Sequence, residues 1–289
     1  MPCNELKRCK AISRAGGRIA IHPEWVKGGL SFHAQPSQFP EAGNYYLLVG
    51  IQVFERDEVG LLDPNEPINR PPYTIPRYHL YLIQESELKK EEFHLNYIPI
   101  LKLTHTGNSF QVDETYIPPC TSINSHSKLL EKFEGNDGES GLVGQISNLF
   151  ELSSKLCRVI YVQHDEHKPK DQGDDYELAN NFLKISTILN SSINKIYPQF
   201  RLRLREMAPV HTIEAIMGVA FEIQGLLNSF SDKDLEQIFK FLKDKTSASF
   251  GQGGIQASID NVLEMRYNHL DSAKAVEAVA HFLQVLIGI

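Results

Sequence analysis

The residues best suited to chemistry stand together at His164-Asp165-Glu166-His167. Histidines three apart can share a helix face, so His164 and His167 are the metal ligands of an enzymatic reading. Against it, structural zinc sites draw their ligands from separate segments, and Lys168-Pro169-Lys170-Asp171 follows at once. The run reads as the frayed end of a helix entering a polar loop, with no resident metal. Gly251-Gln252-Gly253-Gly254 precedes a helical pattern, a place where backbone N–H groups can cradle phosphate. It lacks the Lys-Ser/Thr of the Walker pattern and the strand and spacing of the dinucleotide loop, which leaves a flexible connector. Gly138-Glu139-Ser140-Gly141 misses the nucleophile-elbow spacing. Cys120 follows Pro118-Pro119 without a helix N-terminus to activate its thiol. The carboxylate pairs Glu91-Glu92 and Asp174-Asp175 read as a solvated face and a helix N-terminal preference. No constellation needs a reaction to explain it, so the expectation is a protein that is not an enzyme and carries no cofactor.

The composition agrees. The chain has 289 residues, 42% apolar and 22% charged, enough to bury the core of one large domain or two ordinary ones. Its net charge of −7 and pI near 5.9 give no support to non-specific nucleic-acid binding, which needs a basic surface, and leave open a local basic patch. Arg201, Arg203 and Arg205 are too few to make a groove. The N-terminus, MPCNELKRCK, holds no apolar leader. The run 276–289 is broken by Glu277, His281 and Gln284 and is shorter than the ~20 residues of a spanning helix. A cytoplasmic protein without direct membrane insertion is expected. Cys3, Cys9, Cys120 and Cys157 show no metal or redox spacing and read as reduced thiols.

The elements that position these residues change type near residue 125. Before it the pattern is β. Residues 45–55 (YYLLVGIQVFE) alternate with both faces apolar, as in a sandwich or covered sheet. Residues 78–84, 97–103 and 109–113 read as further strands, the last two joined by a turn at Thr106-Gly107-Asn108, with a short strand at 18–21. Residues 63–76 carry five prolines and read as an extended, polyproline-like arm. Arg70, Tyr73 and Ile75 on this arm are the candidate partner-binding residues, although packing on the chain's own sheet is an equal reading. After residue 125 the period is helical. Leu142, Ile146, Leu149, Ser153, Leu156 and Ile160 form one stripe. Leu178, Phe182, Ile185 and Leu189, continued by Ile196, form a second, the candidate core of a bundle or an oligomer. Pro209 opens a third helix, Ser231 with Asp234 caps a fourth, and two shorter helices follow. The apolar end, 282–289, is either buried in the bundle or covered by another subunit. An up-and-down bundle of four or more helices results.

At the junction, Asp113-Glu114-Thr115-Tyr116-Ile117-Pro118-Pro119-Cys120, then Ile123 and Ser125 before a long helix, resembles the TssK family, the baseplate subunit of type VI secretion systems. Tyr97-Ile98-Pro99-Ile100-Leu101-Lys102-Leu103 is similar to that family's proline-bearing strand. Arg70-Pro71-Pro72-Tyr73-Thr74-Ile75-Pro76 before a Tyr-x-Leu strand has its counterpart in related phage-tail shell domains. Trp25-Val26-Lys27-Gly28 echoes the family's N-terminal motif with lysine where an acid is expected. The resemblance covers about residues 20–230. It implies an α+β chain, with a β-sandwich "shoulder" over 1–125 and a helical-bundle "neck" over 126–289. It implies a homotrimer whose shoulder docks on baseplate wedge subunits. Because the helices run to residue 289, the family's C-terminal head, which grips the membrane complex, is expected to be missing or reduced, and the membrane-complex contact is not carried over as an expectation. A phage-tail adaptor, or the base of a receptor-binding protein, remains the alternative.

Overall fold

The computed structural model describes residues 4–26, 29–60, 73–90, 95–137, 140–167, 174–245 and 254–288. The architecture is α+β, and the chain divides into two compact units, Met1–Pro119 and Cys120–Ile289.

The first unit begins with two antiparallel ribbons. Strand β2 (Cys9–Ile12) pairs with β3 (Arg18–Ile21), and these are bracketed in sequence by β1 (Asn4–Leu6) and β4 (Leu30–Phe32), which pair with each other. An antiparallel sheet follows, built on β5 (Gly43–Val59), with β6 (Tyr73–Gln84) on one side and β7 (Tyr97–His105), then β8 (Phe110–Val112), on the other. Strand β5 is central because both its faces are apolar, and Tyr45, Tyr46, Leu47, Leu48, Val49 and Ile51 are all buried. One face packs on the ribbons: Ile19 and Ile21 join Val49, Ile51 and Tyr78 in one cluster, flanked by Leu6, Cys9, Ala11 and Leu30. Tyr78 fixes this layering by accepting the Ala20 N–H at its hydroxyl, 3.2 Å away. Further along that face, Phe39, Tyr45 and Phe110 meet edge to face at 5.5–5.6 Å, against the buried His105. The β7–β8 turn closes through Thr106 N–H to the Ser109 carbonyl, with Gly107 at φ +92°, a left-handed position that glycine adopts without strain.

The second unit contains seven α-helices among the described residues: α1 (Ser127–Glu134), α2 (Leu142–His167), α3 (Asp174–Leu202), α4 (Pro209–Leu227), α5 (Asp232–Lys245), α6 (Gly254–Glu264) and α7 (Ser272–Ile287). Helices α2 and α3 form an antiparallel hairpin. Phe150 stacks on Tyr197 at 4.2 Å, Ser154 donates to Asn190, Cys157 lies by Thr187, and His164 lies on Tyr176. Partner numbers fall as α2 numbers rise, which defines the direction. Helix α4 has Pro209 in its first turn and packs on α3, α6 and α7. It is apolar enough by length and composition to cross a membrane, with mean hydropathy 1.3. Yet Ile213, Ile216, Val219, Ala220 and Ile223 are buried inside the bundle, so the apolarity has an intrachain cause. Between α3 and α4, Glu222 accepts the Ser192 hydroxyl and pairs with Lys195 at 2.7 Å. Ser231 and Asp234 form the expected cap on α5: Ser231 Oγ accepts the Asp234 N–H, and Asp234 accepts the Ser231 N–H. Arg205 grips Glu134 of α1 through two N–H groups at 2.7 and 2.9 Å. Phe282, Leu283 and Leu286 of α7 are buried within the chain's own bundle, which decides between the two readings of that segment.

Candidate interaction surfaces

The residues with catalytic chemistry do not assemble. Helix α2 ends at His167, so the run 164–167 is the helix end that the sequence suggests. His164 is buried against Tyr176, with ring centroids 5.1 Å apart, because it lies on the stripe that faces α3. No group of three metal-ligating side chains occurs among the described residues. Burial pushes the Cys120 thiol up to about 11, which keeps it protonated and unreactive near neutrality. Cys9 is shifted the same way by the same cause. Cys3, Gly251-Gln252-Gly253, and Lys27-Gly28 of the N-terminal motif lie outside the described residues. A cleft of about 330 Å³ at the α6–α7 junction is lined by Asn261, Glu264, Arg266, Asn268 and Asp271 and by Lys274, which already pairs with Asp271 at 3.3 Å. Its lining includes no histidine, cysteine or hydroxyl side chain.

What the structure presents instead is surface. The proline-rich arm is corrected in part. Residues 61–72, including Arg70, lie outside the described residues, but Tyr73 and Ile75 belong to β6 and not to a polyproline segment. They pair with Val59 and Asp57 of β5. Strand β6 is at the sheet edge, where a proline such as Pro76 costs no ladder hydrogen bond. This β5–β6 ribbon runs beyond the last β5–β7 pair, Gly50 with Tyr97. Ile75 turns to the apolar cluster, while Tyr73 is 68% exposed. A register shift between Gln52 and Arg56 puts Phe54 99% into solvent. Strict alternation of the sequence gave no signal for this bulge. Arg77 straps its base, donating to Glu55 and, at 2.9 Å, to Asp57, and both carboxylates hold its pKa above the ordinary value.

The second helical stripe is rotated from the expected one. Leu189 is 6% exposed and lies in the chain's own core, with Ile193, Ile196 and Phe200, whereas Leu178, Phe182 and Ile185 are half-buried. Phe182 meets Phe241 of α5 at 5.0 Å. On α2, Leu142, Ile146, Leu149 and Ser153 are buried as expected, but Leu156 is exposed. With Leu152, Val159 and Val162 it forms an open apolar edge along the second half of the helix.

Comparison with known proteins identifies this arrangement. A model of the bacterial type VI secretion family that includes EvfL, ImpJ and VasE matches residues 56–280. No curated protein matches the chain. Among solved structures, TssK from the type VI secretion system of EAEC, determined in complex with nanobody nb18, superposes with a TM-score of 0.51 at 13% identity. The alignment covers 98% of this chain and 58% of that one, so the chain spans less than two thirds of the TssK length. The likeness in structure is one of fold, and the family match extends over most of the sequence: the chain belongs to the TssK family of bacterial type VI secretion proteins.

Proposed function

We propose that the protein is a non-enzymatic connector of the type VI secretion baseplate, working in the cytoplasm. It assembles as a homotrimer and docks on the baseplate wedge subunits. The family match over 56–280 carries this reading. Two observations support it. Arg205–Glu134 and Lys195–Glu222 are ion pairs that tie helices together. Large apolar side chains lie open on the β5–β6 ribbon, at Phe54 and Tyr73, and on α2, at Leu152, Leu156 and Val159. The 1–125 and 126–289 segments act as shoulder and neck. Tyr73 and Ile75, with Arg70, lie in the docking region, and Leu189 serves the bundle core.

The test has two arms. Light scattering on the purified chain should give a concentration-independent mass of three times the 32.7 kDa protomer. Co-expression with the wedge subunits of the same system should yield a co-purifying complex. A stable monomer overturns the trimer, and absence of co-purification overturns the docking.

A further inference from the structure

The N-terminal ribbons carry a charge opposite to that of the whole chain. Between residues 4 and 22 there are five cations, Lys7, Arg8, Lys10, Arg14 and Arg18, and one acid, Glu5, in a protein of net charge −7. Glu5 is already committed to Lys7 at 3.3 Å. In the β2–β3 register Cys9 faces Ile21 and Ala11 faces Ile19, and all four side chains turn to the apolar cluster. Lys10 opposite Ala20 and Ile12 opposite Arg18 therefore share the other face. Lys10, Arg18 and the adjacent Arg8 are exposed, and none makes an ion pair among the described residues. Ile12, 65% exposed, ends this row, directly opposite Arg18 and two residues along the strand from Lys10. This ribbon precedes residue 56, where the family match begins, so it is not part of what the match describes.

We infer that the outer face of the β2–β3 ribbon docks an acidic segment of a partner protein, whose carboxylates pair with Arg8, Lys10 and Arg18 and whose apolar side chain covers Ile12. The inference rests on the docking reading above and names the chemistry of one contact. Charge complementarity fixes the sign of the occupant. The size of the patch fixes its class. Surface charges act over about 8 Å at physiological ionic strength, so a short acidic segment feels these cations alone. A long polyanion or an anionic bilayer extends beyond the reach of these three cations and gains little more from them. The exposed Ile12 adds a contact that a row of phosphates cannot use, and a peptide side chain can.

The experiment uses the full chain and a fluorescein-labelled peptide of alternating glutamate and leucine, followed by fluorescence anisotropy at low and high salt. Vesicles containing phosphatidylserine and a single-stranded oligonucleotide serve as rival probes. The wild type should bind the peptide in a salt-sensitive manner, and more tightly than either rival. Lys10→Glu with Arg18→Glu should weaken the peptide about tenfold or more, and Ile12→Ser should weaken it without changing the salt dependence. All three side chains are exposed, so an unchanged thermal melt confirms that the variants fold. Preference for the vesicles or the oligonucleotide, or binding indifferent to the charge reversal, overturns the inference. The same charge-reversed variant is carried through wedge co-purification. If the wild type co-purifies and the variant does so equally, this face is not the docking contact, while docking stands. If the wild type fails to co-purify, docking falls and the peptide titration alone decides the face.

Discussion

Gly50 on β5 tests how tightly the central sheet is built. A Cβ added there would overlap Cε1 and Cδ1 of Tyr97, its cross-strand partner, and lie 3.1 Å from His79 Nε2. Carbon atoms rest at about 3.5–4.0 Å, so the ring must withdraw by about 1 Å or more. It has little freedom to do so. Its hydroxyl is bonded to His79 at 3.0 Å, and the ring packs edge-on against Tyr81 at 5.3 Å. Overpacking of this kind costs about 1–3 kcal/mol. The lost flexibility of the unfolded chain returns about 0.4–1 kcal/mol, because the backbone at Gly50 is not in the left-handed region. Gly50→Ala should therefore destabilise the β unit by about 1–2 kcal/mol. In a unit of about 100 residues, each kcal/mol lowers Tm by about 4–8 °C. Scanning calorimetry of Gly50→Ala, Tyr97→Ala and the double variant closes a cycle. In the Tyr97→Ala background the ring is gone, and the alanine at 50 should be neutral or slightly stabilising. An equal loss in both backgrounds would refute the steric account.

Two further outcomes follow from burial and charge. Phe282→Ala on α7, where the ring is fully buried, should cost about 3–5 kcal/mol and lower the urea midpoint without changing its slope, while Phe221→Ala, at 59% exposure, should change stability by no more than about 0.5 kcal/mol. Acid should destabilise in two stages: burial lowers His79 and His126 below the ordinary 6.5, so the unfolded state takes up protons first and stability falls as pH drops from about 6.5 through the folded pKa values. Below about 4.5 the carboxylates of Glu134 and Glu222, held down mainly by their hydrogen bonds to Arg205 and Lys195, lose their partners as they protonate. A melting temperature constant from pH 7 to 5.5 would remove the histidine stage.

The sequence made the elements readable wherever one rule governed. Period-2 apolarity gave β5, the turn residues gave the β7–β8 hairpin, and Pro209 and Ser231-Asp234 gave two helix starts. The reading was incomplete where a second rule competed. On α3 the apolar count points at Leu178, Phe182, Ile185 and Leu189 as bundle or oligomer core; the first three are half-buried in the single chain, whose buried face also includes Asn181, Ser186 and Ser192. Those polar groups are satisfied internally: Ser186 donates to the Leu183 carbonyl, Ser192 to the Ile188 carbonyl and to Glu222, and Asn181 to Asp234. Their small volume suits a close helix–helix contact that hydrophobicity alone does not reveal. Prolines suggested an arm at residues 63–76, but an edge strand accommodates proline, so 73–76 extend the sheet. The surfaces were the least legible part. Phe54 is exposed because a bulge shifts the register, and a bulge leaves no mark in alternation. The basic face was hidden by the whole-chain charge of −7. Lys10 and Arg18 are eight residues apart in sequence and become neighbours only when β2 pairs with β3. A binding face of this kind belongs to the register of a hairpin, so composition cannot show it, and only the strand pairing sets Arg18 opposite Ile12 on the face that carries Lys10.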